Sequence, residues 1–377
     1  MSSSVSGNSF PNPNTRAAAR FAARPQPNDP PAKTGPLNLF LSLLVLLSSL
    51  ELLAIEEDKL KATPATIRLR GRLSSQQVLL ATSRDGVEVD LTRLAEFQSA
   101  NESLLRIDGQ GLITAIGSGR TEVVIRYEMN EVRLPVEILQ GETWLPVTFE
   151  QDVQPVLTKM GCNAGTCHGK QRGQNGFQLS LLGFDHDFDF DALVREGRGR
   201  RIFPASPGNS LLLLKAAALT PHGGGKRIAP AGKHYNTLKR WIAAGLPRTP
   251  PEAPKLQRVS VFPSEQIMRP RTGQQLLVTA HYSDGSSRDV TRLAAYQSNE
   301  SPIAQVGKTG LVQAGPLPGE AAIMTRYMGK FATYSVSIPL EGEVSPEYYR
   351  SLGSNNFIDE LVWKKLERLQ ILSLIHI

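Results

Sequence analysis

Both cysteines of the chain fall within Gly161-Cys162-Asn163-Ala164-Gly165-Thr166-Cys167-His168-Gly169-Lys170, and a histidine directly follows the second. Two thiols with a histidine beside the second is how c-type haem is attached: the thiols add to the vinyl groups and the imidazole ligates iron. The usual pattern is C-x-x-C-H; here four residues, Asn163 to Thr166, separate the thiols. The permissive Gly165 allows a looser turn that still brings both sulfurs to one side. The rival chemistry is a Cys162–Cys167 disulfide, which suits an exported protein. Zinc is a weaker fit, because two thiols and scattered histidines fall short of four ligands.

An iron held by His168 needs a second axial ligand or an open face. Between residues 144 and 248 the only methionine is Met160, upstream of Cys162 and on the wrong side of the motif. The candidates are therefore His222, at the head of a glycine-rich loop, His234 and His186, or an open site suited to peroxide or small-ligand chemistry. A pair of imidazoles would hold iron at low potential. Asp185, Asp187, Asp189 and Asp191 alternate and Glu196 stands at the twelfth position from Asp185, as in a calcium loop. Phe190 occupies the sixth position, where that loop needs glycine, so a solvated acidic edge is the plainer expectation. Arg198, Arg200 and Arg201 are candidates to pair with haem propionates or to be surface charge. No Ser-His-Asp order, P-loop or paired acids supports hydrolysis.

The elements that must position these residues are short. Val153, Val156, Leu157 and Met160 lie at i, i+3, i+4, i+7, predicting a helix capped by Asp152 that leads into the cysteines. Ser210 to Leu219 predicts a second helix. Tyr235, Leu238, Trp241 and Ile242 predict a third, stopped by Gly245 and Pro247. This minimal helical arrangement spans 144–248, and the charge of the chain concentrates there. Between Trp144 and Arg248 there are 14 Lys/Arg against 7 Asp/Glu, while the remainder is balanced at 28 against 28. Without interleaved aromatics on a basic face, nucleic acid is not the expected partner; haem carboxylates or an acidic protein surface are.

On either side the chain repeats itself. Asp90-Leu91-Thr92-Arg93-Leu94-Ala95 recurs as Asp289-Val290-Thr291-Arg292-Leu293-Ala294, an offset of 199 (289 − 90), with Asp85-Gly86 matched by Asp284-Gly285 and Gly111-Leu112 by Gly310-Leu311. Each copy reads as short β-branched strands between turn signals, as in Gln77–Thr82, Glu122–Tyr127 and Gln275–Tyr282. That predicts two small β-sandwiches, at 63–140 and 255–340. Residues 1–36 are Ser, Pro, Asn, Ala and Arg without periodicity and are expected to be disordered. The apolar run in 37–54, with a positive upstream flank, predicts a signal peptide or an uncleaved membrane anchor, hence export to periplasm or cell surface. Phe357–Leu369 predicts an amphipathic helix within 345–371. The chain stops soon after it, so a truncated C-terminal domain is expected, with Leu372–Ile377 as a read-through or assembly artefact.

The Asp-Gly turn, Asp-x-Thr, Ser-Asn-Glu-Ser corner and Gly-Leu-x-x-Ala of each copy resemble the bacterial Ig-like domains of group 2. The run Gly161–Lys170 with Gly173–Asp185, Gly197–Arg201, Ser210–Ala216 and His222–Gly225 resembles the planctomycete-type cytochrome c domain. That likeness implies one covalent haem c, with Cys162 and Cys167 as attachment thiols and His168 as proximal ligand. It also implies flanking Ig-like modules and large downstream domains, of which the Phe357–Leu369 helix resembles a start. The expected fold class is thus two all-β Ig-like sandwiches flanking a small all-α cytochrome c-like domain. The expected function is covalent haem binding, with His222 as the second iron ligand, and single-electron transfer to an unidentified redox partner. The alternative is an adhesive or structural surface protein with a Cys162–Cys167 disulfide, its Ig-like domains contacting surface polymers or other domains. A third possibility is a haem enzyme whose activity lies in the missing C-terminal part.

Overall fold

The computed structural model describes residues 59–84 and 87–373. The tail at 1–36, the apolar run at 37–54, the Asp85-Gly86 turn and the end of the Leu372–Ile377 segment lie outside them. Among the described residues no helix is long and apolar enough to cross a membrane.

The first sandwich contains β1 (Lys61–Thr63), β2 (Ile67–Arg70), β3 (Ser75–Gln77), β4 (Leu79–Arg84), β5 (Val87–Asp90), β6 (Glu96–Ser99), β7 (Leu105–Ile107), β8 (Leu112–Ala115), β9 (Gly119–Tyr127) and β10 (Asn130–Leu139). They form the sheets β1-β4-β5, β2-β10-β9-β6 and β3-β8-β7. Side-chain alternation drives this arrangement. Along β10, Leu134, Val136 and Ile138 point into the core at 1–2% exposure. The alternate residues Glu131, Arg133 and Glu137 face outward and pair with Arg126, Glu122 and Arg120 on β9. Each buried aliphatic side chain contributes about 1.5–3 kcal/mol relative to exposure, whereas such exposed ion pairs contribute at most about 1.

The middle segment is helical but irregular. A π-turn at Phe149–Val153 runs into helix α1 (Gln154–Lys159); α2 (His186–Val194), α3 (Leu211–Ala216) and α4 (Lys233–Ala243) follow. The first helix therefore begins a turn before the predicted start. Thr148 is its N-cap residue, and Asp152 reaches back to accept the Thr148 amide at 2.9 Å. Phe149, Phe190 and Trp241 pack edge-to-face or tilted, with centroids 5.2–6.3 Å apart, at the centre of one apolar cluster. An all-α cytochrome-type architecture is not shown. The helices are 6 to 11 residues long and are joined by glycine-rich connections, and an isolated β-bridge joins Gln174 and Phe177.

The second sandwich repeats the first: β11 (Leu256–Phe262), β12 (Glu265–Ile267), β13 (Gly273–Gln275), β14 (Leu277–Tyr282), β15 (Ser287–Asp289), β16 (Ala295–Ser298), β17 (Ala304–Val306), β18 (Leu311–Ala314), β19 (Gly319–Tyr327) and β20 (Lys330–Ile338). Its sheets are β11-β14-β15, β12-β20-β19-β16 and β13-β18-β17, the strand order of the first copy. Both sandwiches place one parallel pair, β2 with β10 and β12 with β20, in an otherwise antiparallel frame. Helices α5 (Pro346–Ser351) and α6 (Phe357–Leu369) end the described chain, and the latter matches the predicted amphipathic helix.

Candidate functional site

The cysteine loop starts where α1 stops. Gly161 takes φ +72°, a conformation that favours glycine, and the Cys162 amide closes the helix by donating to the Leu157 carbonyl at 2.9 Å. Two overlapping turns then absorb the four-residue spacer. The Cys167 amide donates to Ala164 O at 2.9 Å and the His168 amide to Cys162 O at 3.0 Å. Gly169 is obligatory there, since a Cβ would stand 2.0 Å from the Asn163 carbonyl oxygen. The buried Asn163 ties the loop down by donating from its side chain to Thr158 Oγ1 at 2.8 Å, while its carbonyl accepts the Leu182 amide.

Cys162, Cys167, His168 and His222 all line one cavity of about 800 Å³, inside the roughly 300–1,000 Å³ range of small-molecule sites. Both cysteines are free thiols, so the alternative Cys162–Cys167 disulfide is not supported. Burial, then the charge of Cys167, pushes the Cys162 thiol up to about 12, which keeps it protonated at neutral pH. The Arg227 guanidinium lies 3.5 Å from Cys167 Sγ. Its Nε is buried without a partner among the described residues.

The two histidines are prepared alike. His168 Nδ1 is 3.0 Å from the Phe177 carbonyl and His222 Nδ1 is 2.8 Å from the Gly225 carbonyl. Each carbonyl accepts, so each ring carries its proton on Nδ1 and leaves Nε2 as a free lone pair. The rings are parallel within 8°, with centroids 6.5 Å apart. Burial is the main cause that holds His168 below its ordinary range, so it stays neutral and able to ligate. His234, on α4, and His186, on α2, do not line the cavity. Burial, then the Lys233 charge, takes His234 down to about 4.

Of the three arginines, Arg200 and Arg201 line the cavity and Arg198 does not. Arg201 is committed elsewhere: it donates to the carbonyls of Ala192, Glu196 and Gly176 at 2.7–3.0 Å and lies over the Phe177 ring at 4.5 Å. The aspartates form no calcium loop. Asp185 caps α2 by accepting the Phe188 amide at 2.9 Å. Asp189, fully buried, accepts from the Ser180 amide, the Ser180 hydroxyl and the Gln154 side-chain amide. Among the described residues no group of three or more His, Cys, Asp or Glu is placed to hold a metal ion by itself. Alternation concealed α2, although Asp185 followed by apolar Phe190, Leu193 and Val194 was a legible cap and face.

No protein-family profile matches the chain, and no curated protein matches it. Among solved structures, domains 5–6 of the S-layer protein SbsC share 8% identity over 74% of this chain and 96% of that one, with a TM-score of 0.29. The longer S-layer fragment rSbsC(31–844) shares 12% identity over 71% of this chain, with a TM-score of 0.21, and this chain spans 24% of its length. A C-terminal fragment of intimin, in complex with the intimin-binding domain of its translocated receptor, shares 9% identity over 74% of this chain and 62% of that one, at TM-score 0.16. With no family profile matching, membership of the planctomycete-type cytochrome c group, and the cytochrome and electron-transfer role that came with it, are not sustained. What stands is the duplicated β-sandwich scaffold.

Proposed function

We propose that the chain is a structural protein of the cell surface, in which two Ig-like modules carry a ligand-holding segment between them. The observation that carries this reading is the duplicated sandwich, identical in strand order on both sides of the cysteine segment. Small spacer modules of this kind suit an exported chain, and their outward faces, rich in paired charges, suit contact with surface polymers or other domains. The test is protease added to intact cells that produce the chain. Loss of the two sandwiches from the cell-associated protein is the expected result; complete protection until lysis would overturn it.

A second reading concerns the cavity, and the paired imidazoles favour it. Their Nδ1 protons are fixed on backbone carbonyls, and two free thiols stand beside them. Haem c fits this donor set: Cys162 and Cys167 would hold it, and His168 and His222 would ligate its iron. Attachment would be by addition of each thiol across a vinyl C=C, its sulfur to one carbon and its proton to the other, so no oxidant would be consumed. When bound, the group supplies an iron with two imidazole ligands. Production in a periplasm with c-type maturation machinery should give a haem stain that survives denaturing electrophoresis and is lost in Cys162→Ala/Cys167→Ala. A folded, colourless protein with two titratable thiols would overturn this reading and leave the scaffold reading untouched.

A further inference from the structure

The repeated Asp-x-Thr-Arg element lies where the two sandwiches meet, and its contacts there are reciprocal. From the first copy, Asp90 Oδ2 accepts the Gln275 amide at 2.5 Å and Arg93 donates to Gln275 Oε1 at 2.9 Å. From the second, Asp289 Oδ2 accepts the Gln77 amide at 2.5 Å and Arg292 donates to Gln77 Oε1 at 2.8 Å. Strand β3 meets β15 as β13 meets β5.

The supports behind these contacts are duplicated too. Thr92 and Thr291, both fully buried, donate their amides at 2.8 Å to Oδ1 of Asp90 and Asp289 and accept the amides of Leu80 and Val278. Gln77 and Gln275 are also fully buried. Each spends its side-chain NH₂ on carbonyls of its own copy, Val78 and Gln110 in one, Leu276 and Thr309 in the other. Only Oε1 remains, aimed at the arginine of the opposite copy. An amide oriented in this way rejects a partner without a donor at that point, because a buried acceptor left unpaired costs about 1–3 kcal/mol.

We infer that Gln77/Asp90/Thr92/Arg93 and Gln275/Asp289/Thr291/Arg292 are two halves of a self-complementary docking surface. The partner each half fits is a module bearing the same four residues, here the other copy within the chain. The interface has the isologous logic of a twofold dimer, written into one polypeptide by duplication. This explains why the motif recurs while the strands around it diverge.

The test uses the full chain and amide hydrogen exchange. Asp90→Ala should speed exchange of the Gln275 amide, and Asp289→Ala that of the Gln77 amide, each by about tenfold, the effect of losing one ordinary hydrogen bond. Asp90→Asn, which keeps an acceptor oxygen, should restore most of the protection. Should Asp90→Ala unfold its sandwich, core amides such as Ile125 will exchange as well. Arg93→Ala then serves instead: it keeps the Asp90 bond to the Gln275 backbone amide but removes the donor to Gln275 Oε1, so exchange should rise at the Gln275 side-chain NH₂ while core amides such as Ile125 stay protected. Unchanged exchange at both glutamines in the Asp90→Ala/Asp289→Ala chain, or in Arg93→Ala/Arg292→Ala, would overturn the inference.

Discussion

Asp189, behind the cavity, and Arg201, in its lining, hold the cavity walls. Asp189 gathers Ser180, the Gln154 amide and the start of the loop after Leu179 onto α2. Burial raises its carboxyl above the ordinary range despite the bonds from Ser180 and Gln154. Asp189→Ala leaves those buried donors unpaired and should cost about 3 kcal/mol, read as a lower urea midpoint. Arg201→Lys cannot serve three carbonyls and a ring face together; it should cost about 2 kcal/mol. The sequence pointed to Cys162, Cys167, His168 and His222 because their types and spacing are unusual. It could not point to Asp189 or Arg201 in these roles, because a supporting residue is defined by what surrounds it. Asp189 looked like part of a solvated acidic edge, and Arg201 like a propionate partner or surface charge.

At the scale of elements, α1 ends in a lysine that holds the middle segment to the second sandwich. Lys159 Nζ donates to the carbonyls of Ala294 and Lys308 and stands 4.7 Å from the centre of the Tyr296 ring. Burial, followed by the Arg292 and Lys308 charges, brings its ammonium down to about 7. Lys233 at the start of α4 falls to about 8, chiefly through burial. The folded chain therefore binds fewer protons than the unfolded chain between those values and the ordinary 10.5. Stability must rise with pH across this window and fall back as pH drops toward 7. Urea midpoints measured at pH 7 and pH 9 should show that rise, and Lys159→Met should flatten it. Helix periodicity placed α1, α3 and α4 correctly but missed α2, whose alternating aspartates masked a 3.6-residue face. The exact start of α1 depended on Asp152 accepting the Thr148 amide, a cap that only the folded backbone reveals.

For the molecule as a whole, the duplication was legible from Asp-x-Thr-Arg alone, and the strand order of both copies agrees with it. What the repeat was for was not legible, because a pattern of residues does not say which surface meets which. The likeness that named a cytochrome family reached further than the chain supports, since short motifs around cysteines fix a local turn rather than an ancestry.

The reciprocal contacts at Gln77 and Gln275 also change how the chain carries load. Covalently, the first sandwich, the middle segment and the second sandwich are beads in series, and tension on one bead would pass through the next. With the sandwiches fastened directly to each other, a second route for force runs beside the cysteine segment. A pull on the outer modules is then shared with that bypass, and the loop bearing Cys162, Cys167 and His168 is shielded from strain for as long as the bypass holds.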